Sequence, residues 1–303
     1  MKRLILFFGI IIAILVGVDI LLDAGGKYYV SHYKLPGDYE EIDYLIKESN
    51  EDILILGSSL ALNGINPNLL IDSLDCTCYN GGANAQYITY SETMLKCICK
   101  HAKKPKVILL GVLPTELGSA NFGRFNILIP YYKSGYESID EKLENKDGMA
   151  PFLLKSALYR YNTIWWRILL YHFITPGVKG KHGYTGKAVP AVLPALVHRQ
   201  AETTIDDKAV TLFESIVRTC KKHHIKLLVF IPPHYREVDG VEGSIAYLDK
   251  YCKENDVPFY NDSQDSFFLQ HQEWFYDEAH INVVGCDEYT KMMVPRIRQI
   301  LKN

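Results

Sequence analysis

The chain has no excess of charge of either sign: 33 basic and 35 acidic residues leave a net charge of -2. Binding a nucleic-acid backbone needs a clustered basic face, so this balance gives no support for a nucleic-acid partner, and none is expected. Cys-x-x-Cys pairs are also missing. The seven cysteines include Cys76-Thr77-Cys78 and Cys97-Ile98-Cys99, neither of which has zinc-ligand spacing. No metal and no cofactor is implied. The cysteines read as small buried apolar residues, while Cys220 with Cys252 stays open as a disulfide pair in an oxidising compartment. A disordered composition is excluded too, because 48% of the 303 residues are hydrophobic, enough for one large α/β domain with insertions.

The N-terminus is a different material from the rest. Lys2 and Arg3 precede an apolar run from Leu4 to Leu22, interrupted only by Gly9, Gly17 and Asp19. About 20 apolar residues at a rise of 1.5 Å cross a hydrocarbon core. The basic pair before the run and Asp23 after it predict a single-pass, N-inside anchor, with everything beyond residue 30 extracytoplasmic. A cleaved signal peptide competes with this reading. Ala24-Gly25-Gly26 supplies the small residues, but Leu22 fits poorly at the −3 position before Ala24. A buried soluble helix is disfavoured because the run has almost no polar face. The expected organisation is therefore an anchor over residues 1–26, a stalk over 27–50 and an α/β domain over 51–302.

Within that domain short apolar runs alternate with amphipathic segments. The runs Ile53–Leu56, Thr77–Asn80, Val107–Val112, Lys226–Ile231 and Pro258–Tyr260 predict five strands. Helices are predicted over Asn66–Leu74, opened by Pro67, and over Tyr87–His101, Asp206–His223, Ser244–Glu254 and Val283–Leu301. Almost wholly apolar strands belong in the middle of a parallel sheet, and the alternation predicts helices on both of its faces. Residues 115–205 break the rhythm and read as an insertion between the third and fourth strands. Its aromatic segment Tyr159–Phe173, with Trp165 and Trp166, fits a lid, a membrane-facing surface or core. A Gly/Lys/His-rich loop, Gly177–Gly186, follows.

Two motifs carry chemistry. Gly57-Ser58-Ser59-Leu60 ends the first strand, and Asp277-Glu278-Ala279-His280 precedes the last helix. Serine is a poor nucleophile until an imidazole takes its proton and a carboxylate fixes the imidazole's tautomer. In open α/β sheets, chemistry gathers at the carboxyl ends of the strands, which both motifs can reach. Each motif alone has a plainer reading. Gly-Ser-Ser also suits a turn and helix N-cap, and Asn282 suits a cap for the final helix. Ser58 reads as structural, Asn63 as local turn chemistry, and His234, after Pro232-Pro233, as a substrate contact or a solvated loop residue.

Together the motifs resemble the SGNH (GDSL-like) hydrolase superfamily. Its first block, Gly-Asp-Ser-Leu, stands here as Gly57-Ser58-Ser59-Leu60, and its last, Asp-x-x-His, as Asp277 to His280, followed by Ile281, Asn282 and Gly285. The resemblance covers roughly residues 50–302 apart from the insertion. It implies a three-layer α/β/α fold around a five-stranded, mostly parallel, flavodoxin-like sheet. It assigns Ser59 as nucleophile, His280 as base and Asp277 as its orienter, with the N–H groups of Ser59 and Ala85 as oxyanion hole. The middle blocks depart from the family pattern. Ala85 stands where the second block has glycine, and Pro114, which has no N–H, stands near the third-block asparagine. Thr115 and Asn84 are candidate substitutes. The Gly-Ser-Ser form is most similar to a membrane-anchored branch concerned with acyl transfer to cell-surface polymers. That implies a glycan or lipid ester substrate in a bacterial cell envelope and a multipass membrane protein as acyl donor. A fold retained for binding or assembly after loss of activity is the other implied reading.

Overall fold

The computed structural model describes residues 1–302 apart from 36, 38, 174–179, 202 and 203. It divides into two compact units, residues 1–44 with 125–177 and residues 45–124 with 178–303. The first residues of the Gly177–Gly186 loop lie outside the described residues.

Along the chain, helix α1 (Lys2–His32) and α2 (Tyr39–Lys47) precede strand β1 (Ile53–Gly57). The short helix α3 (Ser59–Gly64), α4 (Pro67–Leu74), β2 (Cys78–Asn80), α5 (Ile88–Ile98) and β3 (Val107–Gly111) follow. Then come α6 (Glu137–Glu144), α7 (Ala150–Leu153), α8 (Ala157–Phe173) and β4 (Val197–Gln200). The chain closes with α9 (Asp207–Lys222), β5 (Lys226–Ile231), β6 (Arg236–Asp239), α10 (Glu242–Glu254), β7 (Phe259–Asn261), α11 (Ser266–Leu269) and α12 (Val283–Lys302).

In the second unit five strands form one parallel sheet in the order β2-β1-β3-β5-β7. Counted within the sheet this is 2-1-3-4-5, the flavodoxin-like order. All five residues of β1 and all five of β3 are buried, as continuous apolar strands between two helical layers must be. Alternate side chains serve opposite layers. Ile53, Ile55, Val107, Leu109, Leu228 and Phe230 share a core with Tyr289, Met293 and Ile297 of α12. Helices α5 and α9 pack together, against β1 and β5 respectively. The α/β reading and its five strands are as expected from the sequence. One element was not: β4 and β6 form a separate two-stranded parallel pair. Their sequences, Val-His-Arg-Gln and Arg-Glu-Val-Asp, are largely solvent-facing and carry no apolar periodicity.

In the first unit α1 runs unbroken to His32, past the end of its apolar run at Leu22. Its mean hydropathy reaches 3.0, so it is long and apolar enough to cross a membrane. Its second half packs against α8. Gly26 lies against the Tyr161 ring with no room for a Cβ, and the Tyr29 and Trp165 rings are 6.3 Å apart. Residues 27–50 accordingly hold the end of α1 and the whole of α2. Buried Asp43 ties this region down by accepting the Leu35 N–H and the Tyr131 hydroxyl. The aromatic helix divides its surface: Tyr161 and Ile164 are buried, whereas Trp166, Leu169 and Phe173 are exposed.

All seven cysteines are free. The Cys220–Cys252 disulfide left open by the sequence is thus not formed. Both thiols are buried as apolar packing, which pushes Cys252 up to about 12 and raises Cys220 as well.

Candidate active site

Strand β1 delivers Ser59. The chain leaves β1 through Gly57 at φ +142, where a Cβ would run into the carbonyl oxygen of Gly111 on β3; only glycine makes this exit. Ser58 then caps α3, its hydroxyl accepting the Leu60 N–H at 3.2 Å. Ser58 is therefore the structural serine, and Ser59 opens the helix at the crevice between β1 and β3. That crevice is the point where the strand order reverses, which is where such sheets bind ligands.

The other pieces come from the segment after β7. Phe275 and Ile281 form an antiparallel bridge that closes a tight loop over residues 276–280. Asn282 anchors its end, as the sequence suggested. Its Oδ1 accepts the N–H groups of Val284 and Gly285 at the start of α12, and its amide donates to the Glu273 carbonyl at 2.7 Å. Within the loop Asp277 accepts the N–H groups of Ala279 and His280, each at 2.8 Å. Its two oxygens lie 2.9 and 3.0 Å from His280 Nδ1. On the opposite edge of the ring, His280 Nε2 lies 2.8 Å from Ser59 Oγ. Partial burial works against charge on Asp277, but the His280 side chain and the two amides outweigh it and hold the carboxyl below its usual range. An ionised Asp277 places the His280 proton on Nδ1, so Nε2 is left with a lone pair facing the serine hydroxyl.

The loop after β2 lies beside α3. Buried Asn80 ends that strand, and its amide donates to the carbonyls of Ala61, Leu62 and Ile65 at 3.1, 3.1 and 2.9 Å, while its Oδ1 accepts the Gly82 N–H at 3.0 Å. The loop also extends the pairing with β1, since Ala83 donates to the Gly57 carbonyl at 3.0 Å. Ala85 adopts φ +54, the left-handed region that suits the glycine it replaces. Its carbonyl accepts the Arg124 N–H at 3.0 Å, and its own N–H has no partner among the described residues. Asn84 is exposed and makes no hydrogen bond with Ser59 or His280 among the described residues.

After β3, Pro114 is buried and Thr115 exposed; neither is joined to the serine or the histidine. The next residue is one that sequence reasoning missed. Buried Glu116 accepts the Ile88 N–H at 2.6 Å on one oxygen and the Leu113 N–H at 2.9 Å on the other. It therefore staples the start of α5 to the loop following β3. Burial pushes its carboxyl up to about 7, against the opposing pull of those two amides.

His234 is not the solvated loop residue that its neighbourhood of Pro232 and Pro233 suggested, being only 1% exposed. Its Nδ1 pairs with the Arg236 carbonyl at 2.9 Å, and Nε2 is buried without a hydrogen bond. Burial, then the nearby Arg236 charge, push it down to about 4, so the ring is neutral. It lines a cavity of about 350 Å³ with Pro114, Val241, Glu242, Asn261 and Gln264. It makes no bond to Ser59 or His280. No cluster of metal-ligating side chains occurs among the described residues.

Several solved structures are similar to this chain, among them two from Bacteroides species. One, described as a candidate acylhydrolase from Bacteroides fragilis, is 11% identical with a TM-score of 0.39, covering 89% of this chain and 93% of the other. The second, a GDSL-like lipase from Bacteroides thetaiotaomicron, is 10% identical with a TM-score of 0.38, covering 82% of this chain and 87% of the other. No family model and no curated protein matches the chain.

Proposed function

We propose that this chain is a membrane-tethered serine ester hydrolase or O-acyltransferase, acting on ester groups of a cell-surface glycan or lipid. The observation that carries the reading is the line from Asp277 through His280 to Ser59, with 2.8 Å between Nε2 and Oγ. Ser59 Oγ attacks the ester carbonyl while His280 Nε2 takes its proton. The resulting oxyanion is stabilised by the N–H groups of Ser59 and Ala85. Collapse breaks the bond to the leaving alcohol, to which His280 returns the proton, and an acyl-Ser59 remains. Water or a sugar hydroxyl, deprotonated by His280, then attacks that acyl group and Ser59 regains its proton. Hydrolysis and transfer differ only in this acceptor.

The apolar N-terminal helix supports a tether, with the remainder of the chain in the extracytoplasmic space of a bacterial envelope. A multipass membrane protein would supply acyl groups if the reaction is transfer. Asn84 and Thr115, exposed on loops after β2 and β3, are the candidate contacts for substrate. His234, with Nε2 buried, is a weaker candidate for a substrate contact than these two.

A second reading, a binding or assembly protein with the fold but without activity, is favoured by Pro114 at the position of an oxyanion donor. Covalent labelling with a fluorophosphonate separates the two. Labelling of the wild-type protein that disappears in both Ser59→Ala and His280→Ala is expected; an unlabelled, well-folded wild type would leave the binding role.

A further inference from the structure

Helix α1 is bare over its first half and covered over its second. Every residue from Lys2 to Val16 is exposed, and one side becomes shielded from Gly17 onward. The full apolar run Leu4–Leu22 rises about 28 Å, close to the roughly 30 Å of a hydrocarbon core. The bare part, Leu4–Val16, rises only about 20 Å, which is too short. A spanning α1 must therefore take its shielded portion, Gly17–Leu22, into the bilayer together with whatever shields it.

The shield begins at Asp19. This carboxylate accepts the Ser156 hydroxyl at 3.0 Å and the N–H groups of Ala157 and Leu158 at 3.1 Å each, the first amides of α8. One turn on, Asp23 pairs with Arg160 at 2.5 Å, and further along Gly26 meets Tyr161. Helix α8 thus runs in the same direction as α1, and its beginning, with α7 just before it, lies nearest the bare span. The two features account for each other. A carboxylate inside an apolar run is costly unless satisfied, and the N-terminus of α8 provides both donors and a favourable dipole. The surface around that point is apolar and uncovered. Met149, Phe152, Leu153 and Leu158 are 61, 65, 40 and 60% exposed. Beside them the Lys155 ammonium stands 5.4 Å from the Phe152 ring, an arrangement suited to a lipid phosphate above buried acyl chains.

We propose that Met149, Phe152, Leu153 and Leu158 form a foot seated in the leaflet at the Leu22 end of α1. Its occupant is the lipid itself, at the boundary of headgroups and acyl chains. The proposal rests on the reading of α1 as a membrane span. The foot makes the first unit a membrane-embedded body in which α7 and the start of α8 share the bilayer with the anchor.

Depth-dependent quenching tests it on the full chain. Dansylalanine is introduced by codon suppression at position 152 or 158, at position 12 within the bare span, and at exposed position 141. Each protein is reconstituted into phosphatidylcholine/phosphatidylglycerol vesicles carrying lipids brominated at shallow or deep positions. Positions 152 and 158 are expected to be quenched several-fold more than 141, most strongly by the shallow bromines, with position 12 quenched by the deep ones. Quenching at 12 with none above the level of 141 at 152 and 158 overturns the foot and leaves the span. No quenching at 12 overturns the span and the foot together. Emission at 152 that shifts to the blue with protein density, without quenching, would assign the patch to a second copy of the chain and also overturns the proposal.

Discussion

Glu116 holds the Ile88 N–H at 2.6 Å, and through its other oxygen the Leu113 N–H, so one buried carboxyl fastens the loops that follow β2 and β3. Both loops border the crevice where Ser59 sits. Glu116 thereby ties the two loops to each other without itself bonding to Ser59 or His280.

Its protonation should be visible in stability. The native carboxyl titrates at about 7 and an unfolded one at 4.5, so between those values the native state binds the extra proton. Stability therefore falls as pH rises through this window, by at most about 3 kcal/mol from this group. Glu116→Gln removes the titration and turns an amide N–H₂ towards a backbone N–H, costing about 1–3 kcal/mol. Denaturant unfolding from pH 4.5 to 8 should show a lower midpoint for the variant and a flatter pH slope.

Asp277→Asn is expected to preserve the loop but reverse the polarity of its bond to His280. An asparagine amide donating to Nδ1 places the proton on Nε2, where it cannot accept from Ser59. The fluorophosphonate acylation rate should fall by up to about 10⁴-fold with little change in melting temperature. A rate within tenfold of wild type would show that His280 does not depend on this carboxylate.

Asn80→Ala removes the donor to three carbonyls and the acceptor for Gly82 in a single change. The predicted loss is about 3 kcal/mol, the order expected when buried polar groups lose their partners. Thermal unfolding of the full chain in detergent measures it. The acylation rate at low temperature should fall as well, because α3 carries Ser59.

Ala85→Gly works in the opposite direction. It relieves a left-handed alanine, worth about 1–2 kcal/mol, at the cost of a more flexible unfolded chain, about 0.4–1 kcal/mol. A net gain of about 0.5 kcal/mol is expected, with the acylation rate unchanged because the N–H is retained.

Thiol titration of the unreduced protein in denaturant should count seven groups, as all the cysteines are free. In the folded protein only Cys76 and Cys99 are partly accessible. Both should react slowly at neutral pH, since burial raises Cys76 and pushes Cys99 up to about 11.

Much of the second unit was legible because its physics is local. Runs such as Ile53–Leu56 and Val107–Val112 are apolar on both faces, which only a buried parallel strand requires, and a contact between Asp277 and His280 is within reach of their three-residue spacing. Glu116 and Asn80 were not legible. A glutamate or asparagine in a loop looks solvated until the fold surrounds it with amides or carbonyls from distant segments. The β4–β6 pair was hidden because its residues alternate in neither charge nor hydropathy. The extent of α1 was not legible either: its apolar run stops at Leu22, but the helix continues to His32, and Asp23 within it pairs with Arg160 of α8, more than a hundred residues away.

Ser59 and His280 are separated by 221 positions in the chain. A chain still being synthesised, before His280 has emerged, carries Ser59 as an ordinary alcohol with no imidazole beside it. On the proposed function, reactivity toward esters therefore waits until the loop ahead of α12 is in place.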